Sequence, residues 1–188
     1  MTYDNISILA DSSKPSDAMD LEPIKSVSPK AKCLRFIEST VINVGYTRYN
    51  LYAFIFCIFS GFHFANLYAI VTCTSWGIFS SFHASLLVDP TAFHRIAEKM
   101  QISMSAFHIA NFLMHILPCI LTVCFPVASM HWWHGVVAAI SHLTWGLIRS
   151  GGTLQMDELY VPMPTSGWYL MWSTGFITEV AVSLMPLW

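Results

Sequence analysis

Residues 49–88, YNLYAFIFCIFSGFHFANLYAIVTCTSWGIFSSFHASLLV, contain no Asp, Glu, Lys or Arg. A single helix of about 40 residues would measure about 60 Å at 1.5 Å per residue, twice the hydrocarbon thickness of a bilayer. The stretch therefore divides into two spans, about 49–64 and 67–88, that turn between Ser60-Gly61 and Asn66. Downstream, the same test predicts spans at about 104–126, 131–148 and 168–187. Apart from Glu179, every Asp, Glu, Lys and Arg lies in residues 1–49, 89–99 or 149–158.

Charge placement sets the number of crossings. With five, the head and the 89–103 and 149–167 loops share one side, and so do all nine basic residues: Lys14, Lys25, Lys30, Lys32, Arg35, Arg48, Arg95, Lys99 and Arg149. The opposite turns carry no charge, as the positive-inside rule requires. Four crossings would set the head against Arg95, Lys99 and Arg149. The expected fold is an all-α, integral membrane helical bundle of about five transmembrane helices (49–188) behind a polar N-terminal head (1–48), partly disordered or partner-bound.

Composition agrees. The 188 residues are 55% hydrophobic and 11% charged, against about 25% charged in soluble domains, and mean hydropathy is +0.55. A net charge of −2 without a basic block argues against nucleic acid as a partner. Cys33, Cys57, Cys73, Cys119 and Cys124 are odd in number and mostly lie in apolar runs, so they read as small hydrophobes rather than a disulfide or zinc framework. No signal-peptide h-region or Arg-rich transit segment is visible near the N-terminus, which places targeting information internally.

Eight histidines carry the chemical interest: His63, His83, His94, His108, His115, His131, His134 and His142. Ionisable groups are costly in a membrane and mark bundle interiors or sites. His83, His94, His108 and His142 are expected near the basic side, His131 and His134 nearer the other. On a regular helix His108, His115 and Cys119 share one face, and His131, His134 and His142 fall within an arc of about 80°. Neutral imidazoles suit haem ligation or hydrogen bonding to a quinone; hydrogen-bonded core histidines are the plain alternative. Glu179, the one carboxylate inside a span, reads as a proton-relay group, the partner of a histidine, or a neutral acid at a helix contact. HWWH (131–134) has no neighbouring carboxylate, no HExxH or GxSxG motif is present, and no span contains the Lys a retinal Schiff base needs.

Residues 89–188 resemble the cytochrome-b membrane anchor subunit of succinate dehydrogenase, respiratory complex II. DPTAFHRIAEKMQISMSAFHIAN is similar to the family's Ser-x-x-His-Arg motif, with Ser105 and His108 in place. AISHLTWGL (139–147) is similar to its second motif through Ile140, His142, Leu143 and Trp145. Ile109, Phe112, Ser141 and Gly146 replace the family's Arg, Gly, Arg and Asp. Its haem histidine would fall at Gly135, beside His134 and His131. The resemblance implies a subunit of an oxidoreductase complex in the mitochondrial inner membrane that carries out no bond chemistry alone. It further implies electron transport with a second anchor chain and other subunits as partners. Ubiquinone would bind at Ser105, His108, His142 and His83, and haem b would take His134 or His131 as an iron ligand.

A second resemblance is to multi-pass membrane lipid hydrolases of the androgen-induced and rolling-stone type. It rests on NFLMHILP (111–118) and LYAIVTCTSW (67–76), and implies Thr72 or Thr74 as nucleophile with His115 as base. A non-catalytic structural subunit of a membrane assembly is the third reading.

Overall fold

The computed structural model describes residues 45–156 and 162–185. Expectations for residues 1–44, for Asp157 and Glu158 and for the final Trp188 lie outside the described residues. No strand occurs among those described. Six helices do: α1 Tyr46–Phe59, α2 Ala65–Val88, α3 Ala92–Lys99, α4 Met104–Cys124, α5 Trp132–Arg149 and α6 Thr165–Leu184. The expected long helices are all present. α1 begins three residues early, so Tyr46, Thr47 and Arg48 belong to it and not to the head.

Helix boundaries follow from local chemistry. Asp89, Phe125 and Met185 each precede a proline and are extended, with φ/ψ of −138/98, −124/77 and −71/135, because proline's ring disfavours helical backbone in the residue before it. The Ser103 side chain accepts the Ala106 N–H to cap α4. At the start of α5, His131 and His134 form a reciprocal capping pair, with His134 Nδ1 accepting the His131 N–H at 2.9 Å. The α1–α2 turn uses left-handed backbone at Gly61 and Phe62 (φ 64 and 61).

α4 is not uniform. Residues Phe112–Ile116 form a π turn in which the Leu117 N–H bonds the Phe112 carbonyl. Pro118 follows and has no N–H to continue a regular ladder, which accounts for the widened turn ahead of it.

α2, α5 and α6 make the centre of the bundle, brought close by glycines. Cβ atoms at Gly77, Gly135 and Gly146 would overlap the Glu179 side chain, the Glu179 carbonyl and the Trp172 ring. A Cβ at Gly175 would lie 3.1 Å from Ser81 Cβ, and one at Gly167 would lie 2.9 Å from Val88 Cγ1. These pairs make α6 antiparallel to both α2 and α5. Asn50 bonds Ser75 at 2.8 Å and the Phe54 ring lies tilted against Tyr68, so α1 runs against α2. Tyr68 bonds the Phe125 carbonyl and Trp76 bonds Thr122, so α4 also runs against α2. The five long helices therefore alternate in direction.

Polarity is distributed inside out. Asn50, Thr72, Thr74, Ser75, Thr122, His134, His142 and Glu179 are buried, while Phe59, Ile109, Val123, Ile140, Ile148 and Ile177 are exposed. The core hydroxyls of Ser75, Ser81, Ser85, Thr122 and Ser183 donate to carbonyls of their own helices, so burial leaves few orphans. Two helices, Ala65–Val88 and Met104–Cys124, are long and apolar enough to cross a membrane by length and composition. Arg48, Arg95, Lys99 and Arg149 all lie at the end of the bundle where α1 starts and α5 finishes, and the turns at 60–64 and 125–131 carry no charge.

Candidate functional site

A cavity of about 240 Å3 lies at that basic end. Tyr46 and Arg48 of α1, Asn111 and His115 of α4, His142 of α5 and Trp172 of α6 contribute to its walls, among mainly apolar neighbours.

His142 is its most constrained polar group. Its Nδ1 lies 2.9 Å from Glu179 Oε1, with the histidine 9% and the glutamate 0% exposed. The helices are held at this point by Gly77, whose lack of a side chain gives the carboxylate its space. The Tyr46 ring stacks on the imidazole at 4.6 Å and 7°, and Trp172 meets it edge-on at 5.1 Å. Tyr46 is itself fixed, its hydroxyl 2.8 Å from Ser141 Oγ and its ring beside Trp145. With Nδ1 committed, Nε2 is the nitrogen His142 has left for a ligand.

α4 supplies a second polar group of atoms. Asn111 Oδ1 and His115 Nδ1 are buried without hydrogen-bond partners among the described residues. The His115 ring stacks on Phe82 at 4.1 Å and 13°. Buried polar atoms are nearly always satisfied, so two orphans in one cavity wall, one at the start of the π turn and one within it, mark a place for something else to bond. π turns recur at functional sites for the same reason.

The expected site residues separate. His142 lines the cavity. His83 stays outside its lining, with Nδ1 2.7 Å from the Phe79 carbonyl of its own helix. Ser105 and His108 are exposed on α4 and do not line it, so the pocket expected to join His108 to His142 is not formed. The expected pocket needed α4 and α5 side by side, but α4 packs chiefly on α2, and α5 on α6 and α2. The extra residue of the π turn also shifts the helical phase by about 100°, so His108 and His115 cease to share a face.

His134 is 0% exposed, and both its nitrogens are engaged, Nδ1 by the His131 N–H and Nε2 by Asn66 Oδ1 at 3.3 Å. His131 is exposed at the opposite end, 3.2 Å from Ser129 Oγ. His134 thus leaves no free nitrogen for iron in this arrangement, and His131 lies at the surface outside the cavity lining. No group of three or more metal-ligating side chains occurs among the described residues.

The Thr–His pairing of the hydrolase resemblance is not formed either. Thr72 Oγ1 has no hydrogen-bond partner. Phe82, which stacks on His115, stands ten residues beyond Thr72 and eight beyond Thr74, about 15 and 12 Å of helical rise.

Tyr46, Arg48 and Trp172 were not singled out from the sequence. Tyr46 and Arg48 fall within the expected head, and Trp172 is one of four aromatics in the expected final span. The available signal was Glu179: a lone carboxylate in a span requires a partner, and the aromatics gather around the partner it takes. No family model matches the chain, and no curated protein or solved structure proves similar to it.

Proposed function

We propose that this chain is a five-span integral membrane protein that binds the headgroup of a quinone in its basic-end cavity, as an anchor-type subunit of a respiratory complex. The alternating helices, the apolar exterior and the confinement of the described basic residues to one end support membrane integration with that end on the positive side. The observation that carries the binding assignment is the Glu179–His142 pair, presented to a cavity with apolar walls and clamped between Tyr46 and Trp172. At about 240 Å3 the cavity is below the roughly 300–1,000 Å3 of pockets that engulf a whole ligand. It suits a ring-sized headgroup whose tail leaves along the helices. Complex II and the mitochondrial inner membrane come to this reading from the resemblance of residues 89–188. The quinone reading does not call on haem: His134, the buried candidate for iron, is hydrogen-bonded through both nitrogens.

Titration of the purified protein in lipid nanodiscs with decylubiquinone tests it. Trp145 and Trp172 lie beside the cavity, and bound quinone quenches indole fluorescence. Saturable quenching that is lost in His142→Phe is the expected result. Non-saturating quenching, identical in the variant, would sink the assignment.

A lipid-hydrolase reading retains one specific observation in its favour: Asn111 and His115, the Asn and His of the resembling segment, both line the cavity with unpartnered atoms. The distance of Thr72 and Thr74 from His115 weighs against it. A fluorophosphonate probe that labels the protein stoichiometrically, with the label lost in His115→Ala, would establish that reading in place of the quinone site.

A further inference from the structure

Resting on the headgroup-binding assignment, we infer that the ligand is held through a carbonyl oxygen that accepts a hydrogen bond from Nε2–H of His142. The argument is a count of protons. The Glu179 carboxyl and the His142 imidazole can together hold one or two. With one, the proton sits on Nδ1, Nε2 is bare and the pair carries a net negative charge. With two, the pair is neutral overall. One proton then lies between Oε1 and Nδ1, and the other must be on Nε2, whichever of the two facing atoms holds the first.

The surroundings select the second state. Glu179 is 0% exposed, and its second oxygen, Oε2, has no hydrogen-bond partner among the described residues. The ionisable groups beside the pair are Tyr46 of α1 and Cys73 of α2, with the exposed Arg48 of α1 and with His115 of α4 elsewhere in the cavity wall. Tyr46 and Cys73 are uncharged in their ordinary states. No Lys or Arg acts on Glu179 among the described residues; His142 is its one charge partner. An uncompensated buried anion is strongly disfavoured in a low-dielectric interior, so the pair keeps both protons and shows the cavity a donor.

A donor selects an acceptor. The Tyr46 stack and the Trp172 edge contact fix the imidazole plane, so the direction of Nε2–H is set before a ligand arrives. A quinone carbonyl and the ester carbonyl of a glyceride share the required chemistry. Asn111, reaching in from α4 with an unsatisfied amide oxygen, accepts a second hydrogen bond from the free hydroxyl of a monoacylglycerol or of the reduced, quinol form of the headgroup.

Infrared difference spectra with carbonyl-labelled probes test this. One arm uses 13C-carbonyl decylubiquinone, the other a 13C-carbonyl monoacylglycerol, each bound to the wild-type protein in nanodiscs. The expected result is a bound carbonyl band shifted below its position in the empty bilayer. In His142→Phe, which keeps an aromatic ring for Tyr46 but no donor, the shift is lost and affinity falls about tenfold or more. The arm that shows the shift identifies the source of the carbonyl. A probe that binds the wild type saturably with an unshifted band overturns the hydrogen bond while leaving the binding site intact. Failure of both probes to bind removes the headgroup assignment itself. The wild-type arms decide the matter even if the Phe variant does not assemble.

Discussion

Gly77 and Glu179 occupy one another's space: α2 has no side chain at the point where the Glu179 carboxylate of α6 crosses it, and a methyl group there would overlap the Glu179 Cγ. The site's acid is thus held at one of the close glycine-mediated helix contacts of the bundle, and positioning and stability are coupled.

Gly77→Ala is therefore expected to destabilise the protein by about 1–3 kcal/mol, the usual cost of overpacking a rigid contact. Gly45, with nothing within 4 Å of its notional Cβ, is the control, and its Ala variant should stay within about 0.5 kcal/mol. Thermal unfolding in detergent, followed by tryptophan fluorescence, compares the two. Equal midpoints would contradict the crossing described.

Tyr46 should act on His142 through its ring more than its hydroxyl. Tyr46→Phe keeps the stack and loses the bond to Ser141; Tyr46→Ala loses both. Decylubiquinone affinity is expected to fall roughly two- to tenfold in the Ala variant, the range of an aromatic pair, and to change little in the Phe variant. Equal losses in both would point to the hydroxyl instead.

The five long helices, their turns and the charge asymmetry were legible in the sequence, because length, hydropathy and charge act locally; α3 was not, since residues 89–103 read as a loop. The partner of Glu179 was half legible: a buried carboxylate demanded one, and several histidines were candidates. Which of them it took depends on how α5 and α6 interlock through Gly135 and Gly146, and no periodicity encodes that. The pairing of His108 with His142 failed for a definable reason. It assumed that α4 and α5, joined by a short turn, pack side by side, whereas α4 packs chiefly on α2, and α5 on α6 and α2.

Topology offers a check that does not depend on ligands. Single cysteines at Ser129 and Ser150 should react with an impermeant maleimide from opposite sides of a sealed membrane. Cys57, Cys73 and Cys119 are buried and are expected to stay silent in the folded protein, so the background needs replacement of Cys33 and Cys124 alone. Labelling of both positions from one side would defeat the five-span arrangement.

Asp89, just past the end of α2, gives a pH dependence outside the spans. Its carboxylate is held below the usual range first by the Thr91 hydroxyl at 2.6 Å, then by the Thr91 N–H and by Arg95 at 2.7 Å. A lowered carboxylate pKa contributes stability that is fully present above the unfolded value of about 3.9 and is lost as pH falls through the lower folded one. The gap in melting temperature between wild type and Asp89→Asn should hold steady from about pH 8 to 5 and close below about pH 4. A gap that persists at about pH 3 would show that Asp89 acts by shape and not by charge.

The π turn of α4 also fixes what the helix can tolerate in evolution or design. Asn111 lies at its start and His115 within it, and the cavity wall depends on that one surplus position. Deleting a single residue such as Leu113 would let the helix close into uniform α geometry at no loss of hydropathy or length worth noting. The surplus residue is what the turn absorbs, so the helix on either side would keep its faces and only the turn itself would change. Asn111 and His115 would move from four residues apart to three, still neighbours on one face, while the widened backbone between them would close.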